Sequence, residues 1–285
     1  MTRSPFADCL TLGESFKRLI EIEAVYAPKE LHALWARDPL IPPAVRDRLS
    51  ALILTMRMGN PEPREFERKT LAANAHFFRS GVQAHKTLLV CFSGKAGHLM
   101  IPTAPFLQFI PEDRFDVLVL RDPSPAMYLR GIDGLGADFT ELLEKISDFA
   151  ARHEYREIRC YGTSAGGAPA LYAAMFLDAS IGVAIGGHHP AHLTTQLHFP
   201  SECTGEELDL ALAAGKAATA NPDLILAFGE SCQPDWQGAQ MLQQRFPKAR
   251  YLAVQGCDRH NINAWLLRNA AMQQFLDETI LTEKS

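Results

Sequence analysis

The chain is 285 residues long, 47% hydrophobic and carries a formal net charge of −5, which points to a packed globular protein and excludes wholesale disorder. That negative balance, with no lysine-arginine run, excludes nucleic acid as the main partner. No apolar run approaches the roughly 18 residues a membrane span needs, and none follows the opening Met-Thr-Arg-Ser-Pro, so no span or secretory signal is expected and the location is read as cytoplasmic.

Residues 1–83 read as a helical N-terminal extension or cap. Phe16, Leu19, Ile20 and Ala24 mark one helical face, and Val45, Leu49, Leu52 and Met56 another. Prolines at 39, 42, 43, 61 and 63 punctuate the region. A short strand is expected around 75–78. The segment could cover a sheet, form part of a lid or serve as a homo-oligomer contact.

Residues 84–285 alternate strand and helix. Strands are expected at 87–92, 115–120, 157–161, 181–185, 224–228 and 250–254. The first is a continuous apolar run, as suits a strand buried on both faces. Helical spacing joins Leu142, Leu143, Ile146 and Phe149, then an alanine-rich stretch from Ala165 to Leu177. It returns near 206–217, at Ala239, Leu242 and Phe246, and at Leu267, Ala271 and Phe275. Such alternation predicts an α/β fold with a mostly parallel, doubly wound sheet, whose reactive groups collect at the carboxyl ends of the strands. The six cysteines, Cys9, Cys91, Cys160, Cys203, Cys232 and Cys257, form no C-x-x-C pair and read as reduced thiols.

The most informative segment is Tyr161-Gly162-Thr163-Ser164-Ala165-Gly166-Gly167, where a strand turns directly into a helix. Its Gly-x-Ser-x-Gly frame places Ser164 on a sharp turn, with Gly162 and Gly166 where side chains would collide. A phosphate-cradling turn is the competing reading, but the G-x-G-x-x-G spacing and a following Lys-Ser/Thr are both missing. A serine nucleophile needs a base, a group to orient that base, and N–H donors for the oxyanion. His260, in the loop after the last strand, is the candidate base, with Asn261 placed to cap the next helix. Asp235 and Glu230 both follow the 224–228 strand. Asp235 is preferred as the acid, although a position before a helix also suits an N-cap. The turn Ser93-Gly94-Lys95 can aim the N–H of Gly94 or Lys95 at the same point as that of Ala165. Lys95 also adds a positive charge suited to an acidic substrate.

These motifs resemble the α/β-hydrolase superfamily: the Gly162–Gly166 turn, the Ser93-Gly94 loop and the 256–260 loop, across residues 84 to 280. The resemblance implies Ser164 as nucleophile, His260 as base and backbone donors at Ala165 and near Gly94 or Lys95. The chain departs from it in three ways. Ser93-Gly94 stands where His-Gly is frequent, Asp235 lies far beyond Gly229 for the acid, and the opening antiparallel strands are not visible, so a truncated sheet is expected.

His188, His189 and His192 follow the 181–185 strand. A metal pair of His188 and His192 lacks an acidic third ligand nearby in sequence, so rim packing or substrate contact is preferred and no metal is expected. The reading that results is a serine hydrolase acting on a small-molecule carboxylic ester or thioester, with no cofactor. Transfer of the acyl group to a sugar or amine acceptor, or a non-catalytic binding or scaffold role on the same fold, are the alternatives.

Overall fold

The computed structural model describes residues 4–81, 85–124, 126–190, 206, 208–209, 213 and 221–283. His192, Cys203 and most of the helix expected at 206–217 lie outside them. The chain opens with three helices, α1 (Leu12–Val25), α2 (Pro28–Arg37) and α3 (Pro43–Gly59). Then come β1 (Glu67–Ala72), β2 (Ala75–Arg79), β3 (Thr87–Phe92), α4 (Thr103–Leu107), β4 (Phe115–Leu120), α5 (Phe139–Arg152) and β5 (Glu157–Thr163). A 3-10 turn at Ser164–Gly166 leads into α6 (Gly167–Phe176), then β6 (Ile181–Ile185) and β7 (Asp223–Gly229). The chain finishes with α7 (Gln233–Arg245), β8 (Arg250–Val254), α8 (Ile262–Arg268) and α9 (Met272–Asp277).

All eight strands form one sheet in the order β1-β2-β4-β3-β5-β6-β7-β8. From β4 to β8 every pairing is parallel, whereas β1–β2 and β2–β4 are antiparallel. The expected truncation is therefore corrected. The antiparallel opening exists, but β1 reads Glu-Arg-Lys-Thr-Leu-Ala and is largely exposed. A charged edge strand that only Leu71 and Ala72 pack against the core carries no alternating apolar signal, and its charges discourage pairing with another chain.

Side chains alternate between the two faces of each central strand. Leu88, Val90 and Phe92 point into the core shared with α5, α6 and α7. Leu89 and Cys91 point the other way, into the core shared with α4, α8 and α9. A third cluster, Leu19, Ile22, Leu31, Val45, Leu49 and Met56 among its members, packs α1–α3 together and reaches Ala104 on α4. The α3 face is the one expected. On α1 the buried side is Ser15, Leu19, Ile22 and Ala24, while Phe16 and Ile20 are exposed.

The expected closing helix is two short ones. Ala270 sits at φ 54°, in the left-handed region, and the chain turns there before α9 begins. Among the described residues, no helix is long and apolar enough to cross a membrane. Cys9, Cys91, Cys160, Cys232 and Cys257 are free thiols.

The order reverses at β3. The next strand in sequence, β4, lies on one side of it, and β5 lies on the other. Loops leaving β3 and β5 at their carboxyl ends therefore part in opposite directions and open a crevice between them. Phe92 and Gly162 are register partners there, so the Ser93-Gly94 loop and the Ser164 turn emerge side by side.

Candidate active site

Ser164 occupies the first position after β5 with φ 52°. A non-glycine residue held there costs about 1–3 kcal/mol, and the surrounding packing must maintain it. Two glycines make the turn possible. A Cβ on Gly162 would collide with the carbonyl oxygen of Gly166 and stand 2.6 Å from the Cβ of Ala170. One on Gly166 would collide with the carbonyl oxygen of Phe92 and stand 2.6 Å from that of Ser93. Gly162→Ala is accordingly expected to lose about 3 kcal/mol or more, since backbone cannot yield as a side chain does. A thermal unfolding midpoint within a degree of the parent's would contradict so close an approach.

The histidine arrives from β8. Its loop turns at Gly256, whose φ is 70°, and Asn261 then caps α8 by accepting from the Ala264 N–H at 3.2 Å. Asn263, wholly buried, ties three parts of the crevice together. Its side-chain oxygen accepts from Tyr161 O–H on β5 at 3.0 Å, and its amide donates to the carbonyl of Leu99 at 2.7 Å. Sequence reading passed over Asn263 and Tyr161, because an asparagine inside a short helix has no motif to mark it.

His260 Nε2 lies 2.8 Å from Ser164 Oγ, and His260 Nδ1 lies 2.7 Å from Asp235 Oδ1. A carboxylate only accepts, so Nδ1 carries the proton and Nε2 is left to accept from the serine hydroxyl. Asp235 is 1% exposed, in the first turn of α7, whereas the N-cap of that helix is Cys232. Capping is therefore not what Asp235 does. Glu230 points elsewhere, its Oε2 accepting from the Gly256 N–H at 2.9 Å in the loop that carries the histidine.

Asp235 also meets a second imidazole. His188 Nε2 lies 3.4 Å from the same Oδ1, and both side chains are buried. Burial by itself raises the Asp235 pKa, but hydrogen bonds from His188 and His260 outweigh it and hold the group at about 2. Gly238 makes room for this histidine, since a Cβ there would come within 2.5 Å of His188 Nδ1. Gly186, at φ 54°, walls the other side, with its missing Cβ 3.0 Å from Asp235 Oδ2 and 3.1 Å from the His260 ring. His189 is buried as well, and burial lowers its pKa.

His188, Asp235 and His260 offer nitrogen and oxygen atoms within 4.8 Å of one another, the acidic partner that the sequence did not place beside His188. Two imidazoles share one carboxylate oxygen here, and the remaining His260 nitrogen is turned to Ser164. That donor set fits hydrogen bonding to a carboxylate without any ion.

The loop after β3 closes the crevice. Tyr128 O–H lies within hydrogen-bond reach of the carbonyls of both Ser93 (3.0 Å) and Leu120 (2.9 Å), anchoring the loop's start. Gly94 presses on the serine, and a Cβ added there would stand 3.1 Å from that of Ser164. Its N–H, however, donates to the carbonyl of His98 at 3.2 Å and closes the loop on itself. Lys95 is exposed on the loop, and Ala165 follows the serine half-buried.

No protein-family model matches the chain, and no curated protein does. Among solved structures, it is similar to a hyperthermophilic esterase from the archaeon Pyrobaculum calidifontis, with 12% identity, a TM-score of 0.49 and coverage of 84% of this chain and 93% of that one. An α/β hydrolase enzyme from the sediment metagenome of the Mar Chica lagoon, Morocco, shares 15% identity at a TM-score of 0.46, over 74% of this chain and 98% of that one. The capsule O-acetyltransferase of Neisseria meningitidis serogroup A shares 9% at a TM-score of 0.46, over 73% and 94% respectively. The strand order, the reversal at β3 and the strand-to-helix turn at Ser164 make this an α/β-hydrolase fold.

Proposed function

We propose that the protein is a serine hydrolase that cleaves a carboxylic ester or thioester through an acyl-enzyme on Ser164. The observation that supports this most directly is the hydrogen-bonded sequence Ser164–His260–Asp235, at 2.8 and 2.7 Å. His260 takes the hydroxyl proton as Ser164 attacks the carbonyl carbon, and the resulting imidazolium is stabilised by Asp235. Collapse of the tetrahedral adduct expels the alcohol or thiol, which receives the proton from His260. A water deprotonated by His260 then attacks the acyl-enzyme and releases the acid.

The oxyanion is assigned to the backbone N–H of Ala165 with one from the loop after β3, at Gly94 or Lys95. In this structure the Gly94 N–H donates to the carbonyl of His98. His188 acts through Asp235. By bonding the carboxylate from a second side, it keeps it ionised and aimed at His260. The His260 side chain is 46% exposed, and water access of this kind favours hydrolysis over transfer to another acceptor.

Treatment with a fluorophosphonate, followed by peptide mapping, tests the reading. A covalent adduct on Ser164 is expected, together with release of p-nitrophenol and free acid from short p-nitrophenyl esters. A folded protein that takes no label would instead support a binding or scaffold role. Acyl products appearing on added sugars or amines, with little free acid, would move the reaction to acyl transfer.

A further inference from the structure

One charged group on the rim of the crevice enters no ion pair and no side-chain hydrogen bond among the described residues. Arg121 is the first residue after β4, at the carboxyl end of the sheet, and its backbone N–H donates to the carbonyl of Asn74 at 2.9 Å. Its Nε is buried without a hydrogen-bond partner, and among the described residues the guanidinium enters no ion pair. A guanidinium carries five N–H donors, and leaving a buried one such as this Nε unmatched costs free energy that a structural arginine normally recovers.

The acids near it are committed elsewhere. Asp122, its neighbour in sequence, accepts from the N–H groups of Ser124 (2.8 Å) and Tyr128 (2.6 Å). Glu21 pairs with Arg18 at 2.8 Å, and Glu23 with Arg48 at 2.9 Å. Burial lowers the Arg121 pKa, with only partial relief from Tyr128 and Glu21. Two further nitrogens around it are buried and unmatched, His98 Nδ1 and His76 Nε2. Burial keeps His98 below its ordinary value, Glu23 opposing and Arg121 adding to the effect. His76, on β2, is held at about 4 by burial first and then by the charges of Arg68 and Arg121. Burial thus disfavours the charged form of both imidazoles, and the formal charge of the cluster is that of Arg121.

This cluster adjoins the serine. A Cβ on Gly97 would stand 3.2 Å from Arg121 Nε, so the guanidinium lies in the space that glycine leaves. Gly97 N–H donates to the carbonyl of Gly94 at 2.8 Å, closing a turn whose ends lie within about 7 Å of each other. Gly94 in turn touches Ser164. A substrate whose carbonyl sits at Ser164 can therefore extend one turn's width and reach Arg121.

We propose that Arg121, flanked by His98 and His76, is an anion-recognition subsite, and that the substrate is an ester or thioester bearing a carboxylate or phosphate group. Planar anions with two oxygens match the guanidinium fork, and the buried Nε of Arg121 is a donor that such an anion would engage. The substrate class rests on the hydrolase reading above, whereas the subsite itself can be tested without turnover.

Mono-p-nitrophenyl glutarate and p-nitrophenyl pentanoate have the same acyl length and differ in a terminal carboxylate. The parent is expected to favour the glutarate in kcat/KM, and Arg121→Gln to reduce that preference about 10- to 100-fold. Arg121→Lys should recover part of it, because the charge remains while the fork is lost. A parent that favours the neutral ester, or a preference that Arg121→Gln leaves as it was, overturns the proposal. Calorimetric titration with glutarate and with inorganic phosphate covers the case in which neither ester is cleaved and Ser164 takes no fluorophosphonate. Binding that weakens at least about 10-fold in Arg121→Gln sustains the subsite, and which anion binds identifies its source. If neither binds, or both bind the two proteins equally, the subsite is wrong even if Ser164 hydrolyses esters.

Discussion

Ser164→Ala is expected to fold as the parent does and to turn over p-nitrophenyl acetate about 10⁴-fold more slowly or worse. The serine contributes little to packing, since it is half-buried at the mouth of the crevice and, among the described residues, its Oγ hydrogen-bonds only His260. Alanine inherits the same left-handed backbone at this position, so the strain of the turn is unchanged and circular dichroism and the unfolding midpoint should stay close to the parent's. What disappears is the atom that would become acylated. The residual rate reports the donors and binding alone, so a small effect on turnover with an intact fold would defeat the nucleophile assignment.

Asp235→Asn should cost about 10³- to 10⁴-fold in kcat/KM with the fold retained, and Glu230→Gln less than about 10-fold. The difference follows from what each carboxylate touches. An amide at position 235 presents an N–H toward His260 and reverses its tautomer, so Nε2 carries the proton and cannot accept the serine's. Glu230 supports only the Gly256 N–H, one hydrogen bond in the loop that delivers His260. With Asp235 at about 2, no limb of a pH–rate profile above about pH 4 belongs to it. If Glu230→Gln were instead the more damaging change, the orienting role would pass to Glu230.

The six core strands and the tight serine turn were legible from residues alone, because each depends on short-range physics. A run such as Thr-Leu-Leu-Val-Cys-Phe at 87–92 can be accommodated only where both faces are covered, and its observed bounds coincide with the expected ones. Glycines at 162 and 166 declare a backbone approach that any Cβ would block. The edge strand β1 was invisible for the converse reason, since its exposure leaves no burial pattern to read. The closing helix was overextended because a 3.6-residue spacing continues through Ala270, where only the tertiary packing of α8 and α9 turns the chain.

Which groups face one another is a different kind of information. Asp235, not Glu230, lies beside His260, His188 meets the same carboxylate oxygen, and Arg121 enters no ion pair among the described residues. Each of these depends on how loops from β4, β6, β7 and β8 return over the carboxyl edge of the sheet. The sequence by itself determined the strands, their enclosure and the serine turn, because local sterics and burial act between near neighbours. The tertiary structure alone decided the partners, because hydrogen bonds and ion pairs depend on ångström-scale distances between residues far apart in the chain.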